Sequence, residues 1–204
     1  MIKLDYKREG SLNLTKAILN LIGASGVGKT TTSAKLFAKL KELNLNVAYS
    51  QEVVKIWVWE GRKVNKYDQY YLFGSECHNQ SRLFDAVDIL ISDSSPILAA
   101  FYNYYYSGFT DNSLAPACKE FYRKVSSDNI HVLNFYLPRK KQYVSYGRYQ
   151  TQEESDALAI DLKNWLDEQE YPYIDLECED EQRLDNILDY LKKELGELNG
   201  FSMV

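Results

Sequence analysis

The sequence contains very little cysteine and histidine. Its three cysteines are Cys77, Cys118 and Cys178, and its two histidines are His78 and His131. The cysteines are odd in number and far apart, so they form neither a disulfide framework nor a Cys-x-x-Cys metal pair. We therefore expect neither a zinc site nor a disulfide-stabilised secreted fold, and we place the protein in a reducing cytoplasm.

Long apolar runs are also missing from the sequence. No stretch of about 18 apolar residues occurs, so no membrane span is predicted, and residues 1–16 lack the pattern of a secretory signal. The net charge of −5 argues against a broad nucleic-acid surface but leaves room for a local basic patch. A chain of 204 residues suits one sizeable core. We expect a single domain over 1–204, with its core at about 17–195.

Short apolar runs alternate with helical patterns along the chain. This alternation predicts a three-layer α/β fold of about five parallel strands flanked by helices and joined by right-handed crossovers. The expected strands are 17–22, 45–50, 87–92, 131–137 and 173–177. The clearest helices are expected at about 30–43, 96–107, 152–169 and 180–195.

A phosphate-binding loop follows the first expected strand. The segment "GASGVGKT" satisfies G-x-x-x-x-G-K-[ST] between a strand and a helix, which is the context that gives the pattern its mechanism. Backbone N–H groups would surround the phosphates, Lys29 would reach the β and γ phosphates, and Thr30 would bind Mg²⁺. The predicted nucleotide-binding residues are Gly23, Ala24, Ser25, Gly26, Val27, Gly28, Lys29, Thr30 and Thr31.

Two acidic residues end neighbouring expected strands. Asp93 follows the third strand, where an acidic residue on the metal side of a nucleotide site belongs. It could instead cap the next helix, but Ser94 or Ser95 can do so with Pro96 at the first helical position. Glu52 ends the second strand and could accept a proton from an attacking hydroxyl. A surface or helix-capping role for Glu52 is an equal alternative.

A basic segment, residues 138–150, follows the fourth expected strand. We interpret it as a lid segment whose positive charge closes over the transferring phosphoryl group. Arg148, beside Gly147 at a plausible hinge, is the first choice for this role, and Arg139 is the second. A solvated basic loop is the alternative.

Tyrosine is abundant, with 17 residues, and five aromatic residues fall within the helix expected at 96–107. Phe101 and Tyr105 lie four apart, as do Tyr102 and Tyr106, and either the first pair or the neighbouring pair is expected in the core. Another face of this helix should look into the acceptor pocket, because the helix starts at Asp93. The candidates for stacking on an acceptor or bonding its edge are Tyr102, Tyr104 and Tyr106.

With these residues placed, the chain resembles P-loop nucleoside and nucleotide kinases. It is similar to the ribosylnicotinamide-kinase branch and to phage kinases that phosphorylate 5-hydroxymethyluracil within DNA. The likeness covers roughly 17–190, in the segments "GASGVGKT", "SQEVVK", "YDQYYLFGSE", "ILISDSSPIL", "FYNYYYSG" and "PRKKQYVSYGR". The chain departs from the branch by having "DSS" in place of an Asp-Thr-Asp turn, and it lacks the Asp-Arg dyad of thymidylate kinases.

The resemblance implies a P-loop kinase fold and Mg²⁺·ATP-dependent transfer of the γ-phosphoryl group to a hydroxyl. Lys29, Asp93, Glu52, Arg139 and Arg148 would be the catalytic residues. Three acceptors stay open: a free nucleoside or nucleotide, nicotinamide riboside, and a hydroxymethylated base in DNA. The pI of about 5.2 favours a small molecule, whereas the tyrosines and the basic lid segment favour DNA. The alternative functions are a P-loop ATPase and a nucleotide-binding regulator without turnover.

Overall fold

The computed structural model describes residues 15–140, 142–146 and 148–195, in which strands and helices alternate. The strands are β1 (Lys16–Ile22), β2 (Val47–Ser50), β3 (Ile89–Ser92), β4 (Ile130–Tyr136) and β5 (Ile174–Asp175). The helices are α1 (Lys29–Glu42), α2 (Val54–Trp59), α3 (Asp68–Ser81), α4 (Pro96–Tyr106), α5 (Leu114–Ser127), α6 (Gln152–Glu168) and α7 (Arg183–Leu195). None of these helices is long and apolar enough to cross a membrane.

The five strands form one parallel sheet in the order β2-β3-β1-β4-β5. This confirms the fold class expected from the alternating pattern. The chain moves from β1 to the β2 and β3 side first, and then to the β4 and β5 side. The order in which the chain adds strands therefore reverses at β1. Sheets of this kind bind ligands in the crevice at the carboxyl ends of the strands at such a reversal, here β1 and β3.

The hydrophobic core lies on both faces of the sheet because the central strands are mostly apolar and buried. Residues 17–22 of β1 are all buried, as a central parallel strand requires. Phe101 of α4 is fully buried, and its ring centroid lies 5.7 Å from those of Tyr105 and Trp165. The expectation is confirmed for Phe101, whereas Tyr105 is partly buried and packs against the core.

Helix α4 begins where the sequence predicts. Pro96 occupies the first turn, and Ser95 is the N-cap residue with extended backbone angles. The Ser95 side chain makes no capping hydrogen bond, so Ser95 is the N-cap residue by its backbone conformation only. Asp93 lies two residues before the cap and takes no part in it, which leaves its carboxylate available to the site.

A buried polar network joins both sides of the fold behind the phosphate-binding loop. Asn20 of β1 donates from Nδ2 to Asn134 Oδ1 (2.9 Å) and to the Tyr122 hydroxyl (3.1 Å). Its Oδ1 accepts from Gln80 Nε2 of α3 at 3.0 Å. Because these buried polar groups are hydrogen-bonded to one another, the network fixes α3 against β1. Asn20, its centre, lies three residues before Gly23, where the phosphate-binding loop starts.

Candidate active site at the carboxyl end of the sheet

The phosphate-binding loop joins β1 to α1 and opens the N-terminus of that helix. Gly28 is the N-cap residue at φ +99°, a left-handed conformation that side chains disfavour. No side chain caps α1, and its first turn carries no acidic residue. The first N–H groups of the helix are therefore free of a capping side chain, and together with the helix dipole they form an anion site.

Lys29 lies at the centre of this loop. Its Nζ donates to the carbonyl oxygens of Gly23 (2.8 Å) and Ala24 (2.9 Å). Burial lowers the pKa of Lys29, while the carboxylates of Glu52 and Asp93 raise it. These electrostatic contacts place Lys29 beside both acidic residues singled out in the sequence.

Asp93 connects the loop to the neighbouring strands. Its Oδ2 accepts hydrogen bonds from Thr30 Oγ1 (2.8 Å) and from the Tyr49 hydroxyl (2.6 Å). Its Oδ1 is buried and finds no hydrogen-bond partner in the part of the chain that the structure describes. A buried carboxylate oxygen without a partner costs free energy unless a ligand satisfies it.

The Asp93 and Thr30 oxygens are hard ligands of the type that Mg²⁺ prefers. Over the described part of the chain, no group of three or more His, Cys, Asp or Glu side chains has metal-site geometry. Mg²⁺ is usually held by one or two protein oxygens together with substrate phosphates. The partnerless Asp93 Oδ1 beside Thr30 therefore fits a magnesium ion carried with a nucleotide.

Glu52 follows β2 and lies half-buried at the same edge of the sheet. Burial raises the pKa of its carboxyl group, Lys29 lowers it, and Asp93 raises it. A carboxylate with an elevated pKa beside a phosphate-binding lysine can accept a proton from a hydroxyl.

The tyrosine-rich face of α4 forms a wall next to Glu52. Burial raises the pKa of Tyr102, with further contributions from Tyr106 and Glu52. The Tyr102 and Tyr106 rings are stacked at 5.7 Å with an interplanar angle of 12°. Tyr104 lies on another face, where its ring contacts Phe109 at 5.4 Å. The structure thus brings Tyr102 and Tyr106 to the site and does not bring Tyr104 there.

The lid segment packs directly on the phosphate-binding loop. A Cβ at Gly26 would lie 2.8 Å from the Tyr143 ring and 3.3 Å from Arg139 Nη1, so only glycine fits. Arg139 is anchored by Asp156 and Ser155, while its Nη1 is buried with no hydrogen-bond partner. A fixed guanidinium with one unused N–H group beside the loop can donate to a phosphate oxygen.

Arg148 reaches the same loop from the other end of the lid segment. Its Nη1 donates to Ser25 Oγ at 3.3 Å, and its guanidinium lies 5.6 Å from the centroid of the Tyr143 ring. Its positive charge lowers the pKa of both Lys29 and Glu52. Gly147, the expected hinge, lies outside the described residues.

The lid segment also contacts the acceptor side of the site. The Tyr146 and Trp59 rings are 5.1 Å apart, and the Tyr149 hydroxyl donates to the Arg62 carbonyl. Gln150 Nε2 donates to the Tyr106 hydroxyl at 2.8 Å. The described residues of the segment therefore contact the phosphate-binding loop, α2 with the turn after it, and α4.

Several residues of the site were not found by sequence reasoning. Tyr49 donates to Asp93, and the Tyr143 ring covers Gly26. Arg183 of α7, almost fully buried, donates from Nη1 to the Val27 carbonyl (2.6 Å) and from Nη2 to the Pro138 carbonyl. Arg183 thus ties the phosphate-binding loop to the start of the lid segment. In the sequence, Arg183 differs from its surroundings only as a charged residue within an amphipathic helix pattern, and this did not indicate its role.

Glu76 was missed as well. This residue of α3 is 1% exposed, and its Oε1 accepts a hydrogen bond from the Val53 N–H at 3.2 Å. Burial raises its pKa to about 8, and the neighbouring Glu52 adds to the rise. The segment "YDQYYLFGSE" gave no indication that Glu76 is buried, because an exposed glutamate on a helix fits the same pattern.

Comparisons with known proteins agree with this architecture. A family model described as an AAA domain matches residues 19–183, which is most of the chain. The chain belongs to this family. No curated protein sequence matches this AAA-domain chain. The family description names a domain rather than a reaction.

Solved structures show which version of the fold this AAA-domain protein has. It is similar to the NadR protein in complex with NR, with a TM-score of 0.65 and 16% identity over 89% of this chain and 52% of that one. Our chain therefore spans about half the length of NadR. It is also similar to deoxyadenosine kinase from M. mycoides (TM-score 0.55, 16% identity, 86% and 99% coverage). Thymidylate kinase from Ehrlichia chaffeensis is similar with a TM-score of 0.59 and 15% identity, over 86% of this chain and 99% of that one. The protein has the P-loop nucleoside and nucleotide kinase fold.

The raised pKa of Glu76 predicts that the free energy of unfolding depends on pH. In the unfolded chain the carboxyl group ionises near its usual 4.5, whereas in the fold it ionises near 8. Between these values folding requires proton uptake, so the free energy of unfolding falls as the pH rises through this window. Glu76→Gln removes the group. Urea unfolding should show wild type losing stability relative to Glu76→Gln between about pH 4.5 and pH 8.

The surface variant Glu153→Gln on α6 controls for the loss of one charge. A difference between wild type and Glu76→Gln that stays constant across this pH range would contradict the assignment.

Proposed function

We propose that the protein is an ATP-dependent phosphotransferase that moves the γ-phosphoryl group of ATP to a hydroxyl of a nucleoside-type acceptor. The observation that carries this proposal is the convergence of Lys29, Asp93 and Glu52 at one edge of the sheet, beside a stacked tyrosine pair. Lys29 and Asp93 would act on the nucleotide phosphates and their metal ion, and Glu52 would accept the proton of the acceptor hydroxyl. An ATPase needs no such acceptor wall.

The residues of the chain divide the work of the reaction. The N–H groups at the start of α1 and Lys29 hold the phosphates, and Arg139 and Arg148 bring positive charge from the lid segment. Thr30 and Asp93 would hold Mg²⁺, which neutralises phosphate charge when it is bound. The acceptor oxygen forms a bond to the γ-phosphorus, the bond to the ADP oxygen breaks, and the hydroxyl proton passes to the Glu52 carboxylate.

Positioning and exclusion of water supply much of the rate in such a site. The Tyr143 ring covers the phosphate-binding loop, and the contacts of Tyr146 with Trp59 and of Gln150 with Tyr106 hold the lid segment over the acceptor side. Water that reached the γ-phosphate would give hydrolysis. The covering residues therefore favour transfer to the acceptor over hydrolysis.

For the acceptor, we propose a hydroxymethylated pyrimidine carried in phage DNA, such as 5-hydroxymethyluracil. This choice is supported by an aromatic rim, which we define as Trp59, Tyr67, Tyr71 and Tyr146. These side chains are 55%, 70%, 60% and 77% exposed, respectively, around the acceptor side of the site. These rings leave much of their surface open to solvent, and neighbouring bases of a strand can stack on them.

Positive charge accompanies the aromatic rim. Residues 55–67 carry four basic side chains, Lys55, Arg62, Lys63 and Lys66, and one acidic side chain, although the whole chain has a net charge of −5. Lys55 and Lys66 lie over rings of the rim, Lys55 at 5.9 Å from the centroid of Trp59 and Lys66 at 4.9 Å from that of Tyr67. Alternating cations and rings suit the phosphates and bases of a single strand.

The first test is transfer of labelled γ-phosphate from ATP. The acceptor panel contains nucleosides, nucleotides, nicotinamide riboside, and single-stranded DNA with or without 5-hydroxymethyluracil. Glu52→Gln should lower kcat by about 100-fold or more, because the proton acceptor is lost. Since burial raises the pKa of Glu52, kcat/KM of the wild type should rise with pH through a value above 4.5, and this limb should be absent from Glu52→Gln.

Glu60→Gln, an exposed acidic residue at the end of α2, is the matched control and should keep wild-type activity. Label that appears only as free phosphate with every acceptor would contradict the kinase proposal and favour an ATPase.

The second test concerns the aromatic rim. Tyr67→Ala combined with Tyr71→Ala removes two rings of the aromatic rim. Because each stacked base contributes about 1–3 kcal/mol, kcat/KM for a modified oligonucleotide should fall by about ten-fold or more. The value for the free modified nucleoside should stay within about three-fold of wild type, since the nucleoside does not reach the rim.

Ile160→Ala on α6 removes an equally exposed apolar side chain far along the sequence and serves as the control. Equal losses for the oligonucleotide and the nucleoside would argue against a strand on the rim.

A further inference from the structure

Glu76 lies between the two loops that carry the acidic residues of the site. Its Oε1 accepts a hydrogen bond from the N–H of Val53, the residue directly after Glu52. Its Oε2 is buried without a hydrogen bond of good geometry, but the side chain of Ser94, directly after Asp93, is near enough to lower its pKa. One carboxyl group on α3 thus accepts a hydrogen bond from the loop after β2 and lies close to the loop after β3.

The Glu52 loop is also held by Val53 and Val54, which pack against an apolar cluster on α2, α3 and α4. Val53 is the N-cap residue of α2, and no side chain caps that helix. Helix α2 is only six residues long, so it gives the loop little rigidity of its own. The Val53 N–H is one of the donors that a helix start leaves without an intrahelical partner, and Glu76 satisfies it from a different helix.

Stability does not explain a carboxyl group at this position. Glu76 is 1% exposed, one of its oxygens lacks a partner, and a leucine of similar volume would pack there without a desolvation cost. Its neighbours on the same buried face include Leu72, which lies in a small apolar cluster with Trp57 and Ala99. A buried polar group with an unsatisfied atom, placed against two catalytic loops, points to a role in the site.

We infer that Glu76 is a positioning residue that holds the Glu52 loop at a fixed place relative to Asp93. The inference rests on the proposed phosphoryl transfer. Glu76 acts through the Val53 N–H and does not touch the acceptor. Because burial raises its pKa to about 8, the group is largely neutral at pH 7 and adds little charge beside Glu52 and Asp93.

Two variants separate positioning from stability. Glu76→Leu removes the acceptor of the Val53 N–H and also the costly buried carboxyl group. We expect it to unfold at the same urea concentration as wild type or a higher one, with kcat at least about ten-fold lower because Glu52 is displaced. The KM for ATP should change by less than about three-fold, since the phosphate-binding loop is untouched.

Glu76→Gln keeps an oxygen that can accept the Val53 hydrogen bond. It should retain kcat within about three-fold of wild type, a rescue that a purely apolar packing role would not produce. Leu72→Met, a swap of similar volume on the same face of α3, controls for disturbance of the helix and should leave kcat unchanged.

A second measurement does not depend on turnover. Hydrogen exchange of the Val53 amide should be slow in wild type and Glu76→Gln and faster in Glu76→Leu. Wild-type kcat in Glu76→Leu, equal loss of kcat in both variants, or unchanged exchange in Glu76→Leu would each overturn the inference. If the wild type transferred phosphate to no acceptor, the proposed function would fail, and the exchange data would still decide whether Glu76 holds the loop.

Discussion

The site depends on one shared carboxylate oxygen. Asp93 Oδ2 accepts hydrogen bonds from Thr30 at the start of α1 and from Tyr49 in β2, so it joins the phosphate-binding loop to two neighbouring strands of the sheet. Parallel strands make this possible because their carboxyl ends, β1 and β3 among them, lie at one edge. The second oxygen of Asp93 has no hydrogen-bond partner among the described residues, and in the proposed reaction it would contact Mg²⁺.

The buried charges around Asp93 compensate one another. Burial lowers the pKa of Lys29 and raises that of Glu52, while the attraction between the two groups opposes both shifts. Glu76 stays largely neutral at pH 7, which limits the negative charge that the pocket must bear. Arg139 and Arg148 add positive charge from the lid segment, beside the loop where phosphate charge would gather. The arrangement costs folding free energy, and the reaction that we propose supplies the reason for it.

The sequence predicted the sheet, the phosphate-binding loop and the places of Asp93 and Glu52, because strand ends and glycine patterns are local signals. The helix of Tyr102 and Tyr106 was also predicted, but Tyr104 was grouped with them although a spacing of two residues puts it on another face. Tyr49, Glu76 and Arg183 were missed because their roles come from contacts with Asp93, Val53 and Val27, which are distant in sequence. Such pairings depend on tertiary packing, which periodicity does not encode.

The most direct test of Asp93 as the centre of the site is calorimetric titration with a non-hydrolysable ATP analogue, with and without Mg²⁺. Wild type should bind the analogue more tightly when Mg²⁺ is present. Asp93→Asn keeps an oxygen for the Thr30 and Tyr49 hydroxyls but loses the charge, so it should retain Mg²⁺-free binding and lose most of the gain from Mg²⁺. An equal gain from Mg²⁺ in both proteins would contradict the account.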